Sequence, residues 1–261
     1  MVCGIHQYRA KTGKQLKNYW MEPSSQYIIA IGILAIAYYI RGISGYGSGL
    51  LAIPSLALFM PLEQVVPFIA VLDFLAALTH GLHYRKLVNW RELLVLIPIA
   101  IMGMGIGLMV FSLTDTESLK PGLGIFIILY AIYSLLHIPQ SSATRIWSVP
   151  LVTTGGIVDT LFGTGGPFYV IYLRFRKMDK TRFVATIAMT FMIATGIRVS
   201  GYGMAGFYPQ ELLEMILLAI PIMILFLYLG VRTHHHLSSR QFSYILSALL
   251  IIAGISLLVK Y

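Results

Sequence analysis

Apolar residues fall in nine long blocks, at roughly 26–43, 48–60, 65–83, 92–112, 121–138, 147–172, 183–204, 211–231 and 241–259. Most approach the ~20 residues an α-helix needs to cross a bilayer. Polar residues collect in the short intervals. Residues 84–91 are basic and carry an interfacial Trp90; 113–120 hold Asp115, Glu117 and Lys120 ahead of Pro121-Gly122; 139–146 are rich in Pro and Ser. This pattern predicts an all-α integral membrane protein, a polytopic helical bundle of about 7–8 transmembrane helices. The count is a range because two blocks are interrupted and could each cross once or fold back.

The interruptions are glycine runs: Gly45-Tyr46-Gly47-Ser48-Gly49, and Gly163-Thr164-Gly165-Gly166 followed by Pro167. Glycines clustered at membrane depth release backbone NH and CO groups, which must face protein or a wet cavity rather than lipid. Helices broken at matching places in two halves of a chain are the best sequence pointer to a transporter's binding site. The halves do align. Gly47-Ser48-Gly49 falls on Gly163-Thr164-Gly165, 116 positions apart (163 − 47). The same register sets Leu62-Glu63-Gln64 on Met178-Asp179-Lys180 and Ile69-Ala70-Val71 on Ala185-Thr186-Ile187. Two pseudo-repeats with glycine-broken helices follow. The expected organisation is a polar, cytoplasmic or disordered N-terminal segment at 1–25, a first repeat at 26–138, a linker at 139–146 and a second repeat at 147–261. Gly103, Gly105 and Gly107 share one block and are read as helix-packing glycines.

Composition agrees with a bilayer: 57% of the 261 residues are hydrophobic and 11% charged, against about 25% charged in soluble domains. Lys and Arg number 19 against 10 Asp and Glu. In a polytopic protein that excess reflects the positive-inside bias and attraction to anionic lipid, so no nucleic acid is implied. Applied to loops 84–91 and 174–182, the bias leaves the orientation of the second half open. Cys3 is the single cysteine, which excludes an intramolecular disulfide and a thiolate metal cluster. Residues 1–25 contain Arg9, Lys11, Lys14 and Lys17 but no apolar signal-peptide core, so the first span is expected to direct insertion.

At these residues the chain resembles the sulfite exporter TauE/SafE family of membrane transporters, from about residue 28 to 258. The resemblance is carried by Gly42-Ile43-Ser44-Gly45-Tyr46-Gly47-Ser48-Gly49 with Pro54, Val88-Asn89-Trp90 and Gly103 to Gly107. In the second half it is carried by Gly155-Gly156, Phe162 to Pro167, Val184-Ala185-Thr186 and Leu237-Ser238. Two departures stand out: Ser48 replaces part of a fuller glycine cluster, and Pro67-Phe68 replaces a small polar pair. The resemblance implies a non-enzymatic secondary carrier of the cell inner (plasma) membrane. It would move sulfite, organosulfonates or related small anions, usually outward.

The residues suggest where. Loop amides at helix N-termini carry partial positive charge, and hydroxyls add donors. Gly47, Ser48, Gly49, Gly163, Thr164, Gly165 and Gly166 are therefore candidate substrate ligands, with Arg198 as the cation. Charged side chains inside membrane spans face an interior path or pair with one another. Asp159, Asp73 and Arg41 are accordingly expected to carry a coupling proton or to form ion pairs. Tyr46 and Tyr169 lie beside the glycine loops. A membrane-embedded metal enzyme would draw on Asp73, His80 and His83, which share a helix face; no second ligand cluster supports it, and no metal or other cofactor is expected. His234-His235-His236 reads as a solvated loop. The expected partners are a small anionic substrate and membrane lipid, with a homo-oligomer left open.

Overall fold

The computed structural model describes residues 24–45, 47–83, 85–136, 148–176, 178–233 and 239–260. The linker at 139–146, nearly all of the N-terminal segment, Tyr46 and the His234–His236 run lie outside them, as do the side chains of His80 and His83. Among the described residues the chain is helical, without strands: α1 (Ser24–Ser44), α2 (Ser48–Ala57), α3 (Leu62–His83), α4 (Trp90–Leu113), α5 (Lys120–Leu135), α6 (Ser148–Phe162), α7 (Gly166–Arg174), α8 (Lys180–Met204), α9 (Gln210–Thr233) and α10 (Ser239–Lys260). Helix is the form that satisfies every backbone polar group within one segment, as hydrocarbon demands.

The glycine runs end helices as the sequence predicts. Gly47 has φ 97° and Gly163 φ 63°, in the left-handed region where a Cβ is strained. The block at 48–60 thus holds a ten-residue helix, and the block at 147–172 splits into α6 and α7. Pro167, in the first turn of α7, restarts the helix where its missing N–H costs nothing. At the next turn the Asp179 side chain accepts from the Arg182 N–H and caps α8.

Among the described residues, five helical stretches are long and apolar enough to cross a membrane: Tyr27–Ser44, Trp90–Leu113, Thr116–Leu135, Thr181–Met204 and Gln210–Thr233. Shorter apolar helices accompany them at Ser48–Ala57 and Val149–Phe162, and the 22-residue α10 is apolar over Ser247–Lys260. At the breaks, apolar blocks become the short helices α2, α6 and α7. With 22 residues, α3 is also long enough to span, and it lies in the interior of the bundle, with Leu62, Val65, Val66, Ile69, Ala70 and Leu72 fully buried. The outer helices invert the soluble pattern: Leu94, Met109, Leu217, Leu218 and Ile252 are exposed, while Arg41, Asp73, Asp159 and Arg198 are buried.

Close glycine contacts fasten three helix pairs, each joining the earlier half of the chain to the later. Between α4 and α6, a Cβ on Gly103 would stand 2.2 Å from the Thr153 carbonyl oxygen, and one on Gly156 would stand 2.5 Å from that of Ala100. Between α1 and α9, a Cβ on Gly230 would meet the Tyr39 carbonyl at 2.2 Å. Between α5 and α10, Gly124 and Gly254 abut in the same way. Backbones this close gain dispersion and exclude lipid. Gly107 also packs, against Ile157 and Thr160. Gly105 does not: nothing lies within 4 Å of its would-be Cβ, because two residues on from Gly103 the helix has turned to its opposite side.

Candidate functional site

At the centre, α3 packs along α8, with the two short helices α2 and α7 beside them. The breaks ahead of α2 and α7 touch. A Cβ on Gly49 would lie 2.6 Å from the Gly163 carbonyl oxygen, and one on Gly163 would lie 2.2 Å from Ile53 Cδ1. Gly165 is pressed onto the preceding helix, where its Cβ would stand 2.2 Å from the Gly155 carbonyl oxygen and 2.4 Å from Asp159 Cβ. Glycine at 49 and 165 is thus required by backbone approach, and at 47 and 163 by conformation.

Two buried ion pairs flank the breaks. Arg41 on α1 reaches Asp73 on α3, with Nη1 2.7 Å from Oδ1 and Nη2 donating to the Asp73 backbone carbonyl at 3.0 Å. Arg41 Nη1 also donates to Ser48 Oγ at 2.7 Å. The Ser48 hydroxyl in turn donates to Asp73 Oδ1 at 2.6 Å, and the Tyr38 hydroxyl donates to the same oxygen at 3.0 Å. The second pair joins α8 to α6: Arg198 Nη1 lies 2.9 Å from Asp159 Oδ1 and donates to the Asp159 backbone carbonyl at 2.7 Å. Asp159 Oδ1 also accepts from the Gly165 N–H at 3.2 Å. Nearby, the Tyr202 hydroxyl donates to the Thr160 carbonyl. Asp159 keeps 7% and Arg198 3% of its surface exposed, so each charge depends on its partner for what water would otherwise supply.

Between the pairs lies a cavity of about 50 Å³, lined by Arg41, Asp73, Asp159 and Arg198, by Gly47, Gly49 and Leu50 at the start of α2, and by Gly163, Thr164, Gly166 and Pro167 around the start of α7. Phe191 and Thr195 of α8 complete the wall. That volume holds roughly four water-sized spheres at about 10–15 Å³ each. The first turns of both α2 and α7 face it, bringing partial positive charge from two directions. Two donors of the wall are buried without a partner: Thr164 Oγ1 and Arg198 Nε. Such groups are costly in a dry interior and call for an explanation.

A model of the family described as "Sulfite exporter TauE/SafE" matches residues 28–257. The chain belongs to that family. It is therefore a multi-pass membrane transporter of the TauE/SafE type. Among curated proteins, it is similar to "Probable inner membrane transporter protein TsaS" of Comamonas testosteroni, 26% identical over 193 residues, covering 72% of this chain and 80% of that protein. No solved structure matches.

Of the residues that sequence alone nominates, this TauE/SafE chain brings Gly47, Gly49, Gly163, Thr164, Gly166, Arg198, Asp159, Asp73 and Arg41 together on one cavity wall. Ser48 and Gly165 sit behind that wall instead. The Ser48 hydroxyl is committed to the Arg41–Asp73 pair, and the Gly165 N–H to Asp159. Tyr169 is fully buried on α7, with its hydroxyl unpartnered. Tyr38 and Thr195 escape a motif-based reading, although helical spacing exposes both. Each lies three residues before an arginine, Arg41 or Arg198, and so shares its helix face.

Proposed function

We propose that the chain is a secondary carrier of the cell inner membrane that moves a small anion by alternating access coupled to protons. Candidate substrates are sulfite, an organosulfonate, or a related sulfur-containing or carboxylate anion. The observation that carries this reading is the cavity at the two helix breaks, with Thr164 Oγ1 and Arg198 Nε free of protein partners. A desolvated oxyanion supplies acceptors for both donors, and the two helix N-termini favour its charge. The small volume favours a compact anion of about four or five heavy atoms, on the scale of a few waters. Family membership supports transport, and the relative's printed name supports the inner membrane.

In the proposed cycle, repeats at 26–138 and 147–261 rock about the cavity, so that it opens to each side in turn. Uptake of radiolabelled sulfite into reconstituted vesicles, with and without a pH gradient, tests this directly. The expected result is saturable flux that responds to the gradient and is lost in Gly165→Leu, whose side chain would strike the Gly155 carbonyl. Absence of saturable flux for sulfite, a sulfonate and a carboxylate alike would sink the proposal.

A further inference from the structure

The two ion pairs are chemically alike but bonded differently. Asp73 Oδ1 gathers Arg41 Nη1, the Ser48 hydroxyl and the Tyr38 hydroxyl. Each arginine also holds its partner's backbone carbonyl, Arg41 that of Asp73 and Arg198 that of Asp159, so the difference lies in the side-chain donors. The cluster ties α1, α2 and α3 into one unit. Asp159 Oδ1 receives a single side-chain donor, Arg198 Nη1, besides the Gly165 amide. The unpartnered donors of the cavity wall both stand on this second side.

We infer that the pairs have different jobs: Arg41–Asp73 is a fixed brace, whereas Asp159 is the exchangeable carboxylate, yielding Arg198 to the incoming anion and taking up a proton as it does so. This rests on the anion-carrier reading above and assigns the coupling within it. Two arginines and two aspartates line the cavity, so their formal charges cancel. A monovalent anion entering alone would leave one net negative charge in a desolvated site, which is strongly disfavoured. Proton uptake on Asp159 restores neutrality.

The step balances. The bonds from Arg198 Nη1 to Asp159 Oδ1 and to the Asp159 carbonyl break, the carbonyl keeping the Gly163 N–H, and the guanidinium, with its free Nε and the Thr164 hydroxyl, donates to the anion. One proton from the open aqueous side binds the Asp159 carboxylate. Release on the other side reverses each change, giving one proton per monovalent anion and no net charge movement. A protonated Asp159 can still accept from the Gly165 N–H, because a neutral carboxyl keeps acceptor capacity. The groups that face Asp159 fit this role. Arg198 and Tyr202 approach from α8, Tyr169 from α7 and Asp73 from α3. Along α4, Ala100, Gly103, Met104 and Gly107 meet α6, and none of them titrates. Asp73 is poorly placed for the same task, since releasing Arg41 would also dismantle the Ser48 bridge between the two charges, which has no counterpart at Asp159.

The test compares wild type, Asp159→Asn and Asp73→Asn in vesicles with radiolabelled sulfite, following net uptake under a pH gradient and exchange against unlabelled internal sulfite. For Asp159→Asn the expected outcome is a tenfold or greater loss of gradient-driven uptake, with exchange slowed but measurable and indifferent to pH. Asp73→Asn is expected to lose both activities together with thermal stability. Gradient-driven uptake that survives in Asp159→Asn, or the uncoupled phenotype appearing in Asp73→Asn instead, overturns the assignment. Wild-type flux indifferent to the gradient overturns it too while leaving anion transport standing; absence of wild-type flux removes the carrier reading and this proposal with it. Should Asp159→Asn not fold, Asp159→Glu decides. A retained gradient response with a displaced pH optimum supports the role, and an unmoved pH profile counts against it.

Discussion

The two breaks in this molecule look alike and behave differently. Each pairs a left-handed glycine with a short helix, and each has an arginine–aspartate pair beside it. On the first side the arginine stands on α1 and the aspartate on α3; on the second the aspartate stands on α6 and the arginine on α8. The small hydroxyl residue after the glycine differs as well. Ser48 is wired between both charges, whereas the Thr164 hydroxyl has no partner. One side is therefore saturated with internal hydrogen bonds, and the other has donors to spare. A chain in which both sides were saturated would hold together well but offer little to a ligand.

The largest effect should come from breaking the saturated side. Asp73→Ala leaves Arg41 buried without compensation, at a cost of about 3–5 kcal/mol. At roughly 2–4 °C per kcal/mol, thermal unfolding in detergent should begin on the order of 10 °C lower. Ser48→Ala removes a hydroxyl bonded to two charged groups, and a loss of about 1.5–3 kcal/mol is expected from the same melting experiment. Gly163→Ala probes the break itself. A left-handed alanine costs roughly 1–2 kcal/mol, while the clash with Ile53 Cδ1 is with the tip of a movable side chain.

The smallest change in stability, and the most informative, belongs to Thr164→Val. No protein hydrogen bond is lost, so melting should be unchanged, yet KM for the transported anion should rise about fivefold, the equivalent of one ordinary hydrogen bond of about 1 kcal/mol. If Thr164→Val instead melts early and Ser48→Ala weakens the anion without destabilising the protein, the contrast between the sides is reversed. Melting curves and uptake kinetics on the same four variants decide it.

Much of this architecture can be read from the chain. The apolar blocks announce the membrane, and the glycine runs mark where helices must stop, because a Cβ is excluded there by backbone geometry. Arg41, Asp73, Asp159 and Arg198 stand out as charges in apolar surroundings. Other features do not announce themselves. Gly103 and Gly105 look alike in sequence, but one meets the Thr153 carbonyl and the other faces open space. Tyr38 is one tyrosine among 16, and its bond to Asp73 spans 35 residues.

By itself, the sequence determined the solvent this protein lives in, the helices that solvent enforces, the breaks in two of them, and the charges that must be hidden. These follow from local chemistry: transfer free energy, backbone hydrogen bonding and the excluded volume of a single carbon. Tertiary structure alone decided which arginine holds which aspartate, that Ser48 serves the fold while Thr164 stands free, and that both broken helices begin at one cavity. Partners 32 and 39 residues apart meet only once the helices have packed. Nothing in a linear string of side chains specifies that contact until the packing itself exists.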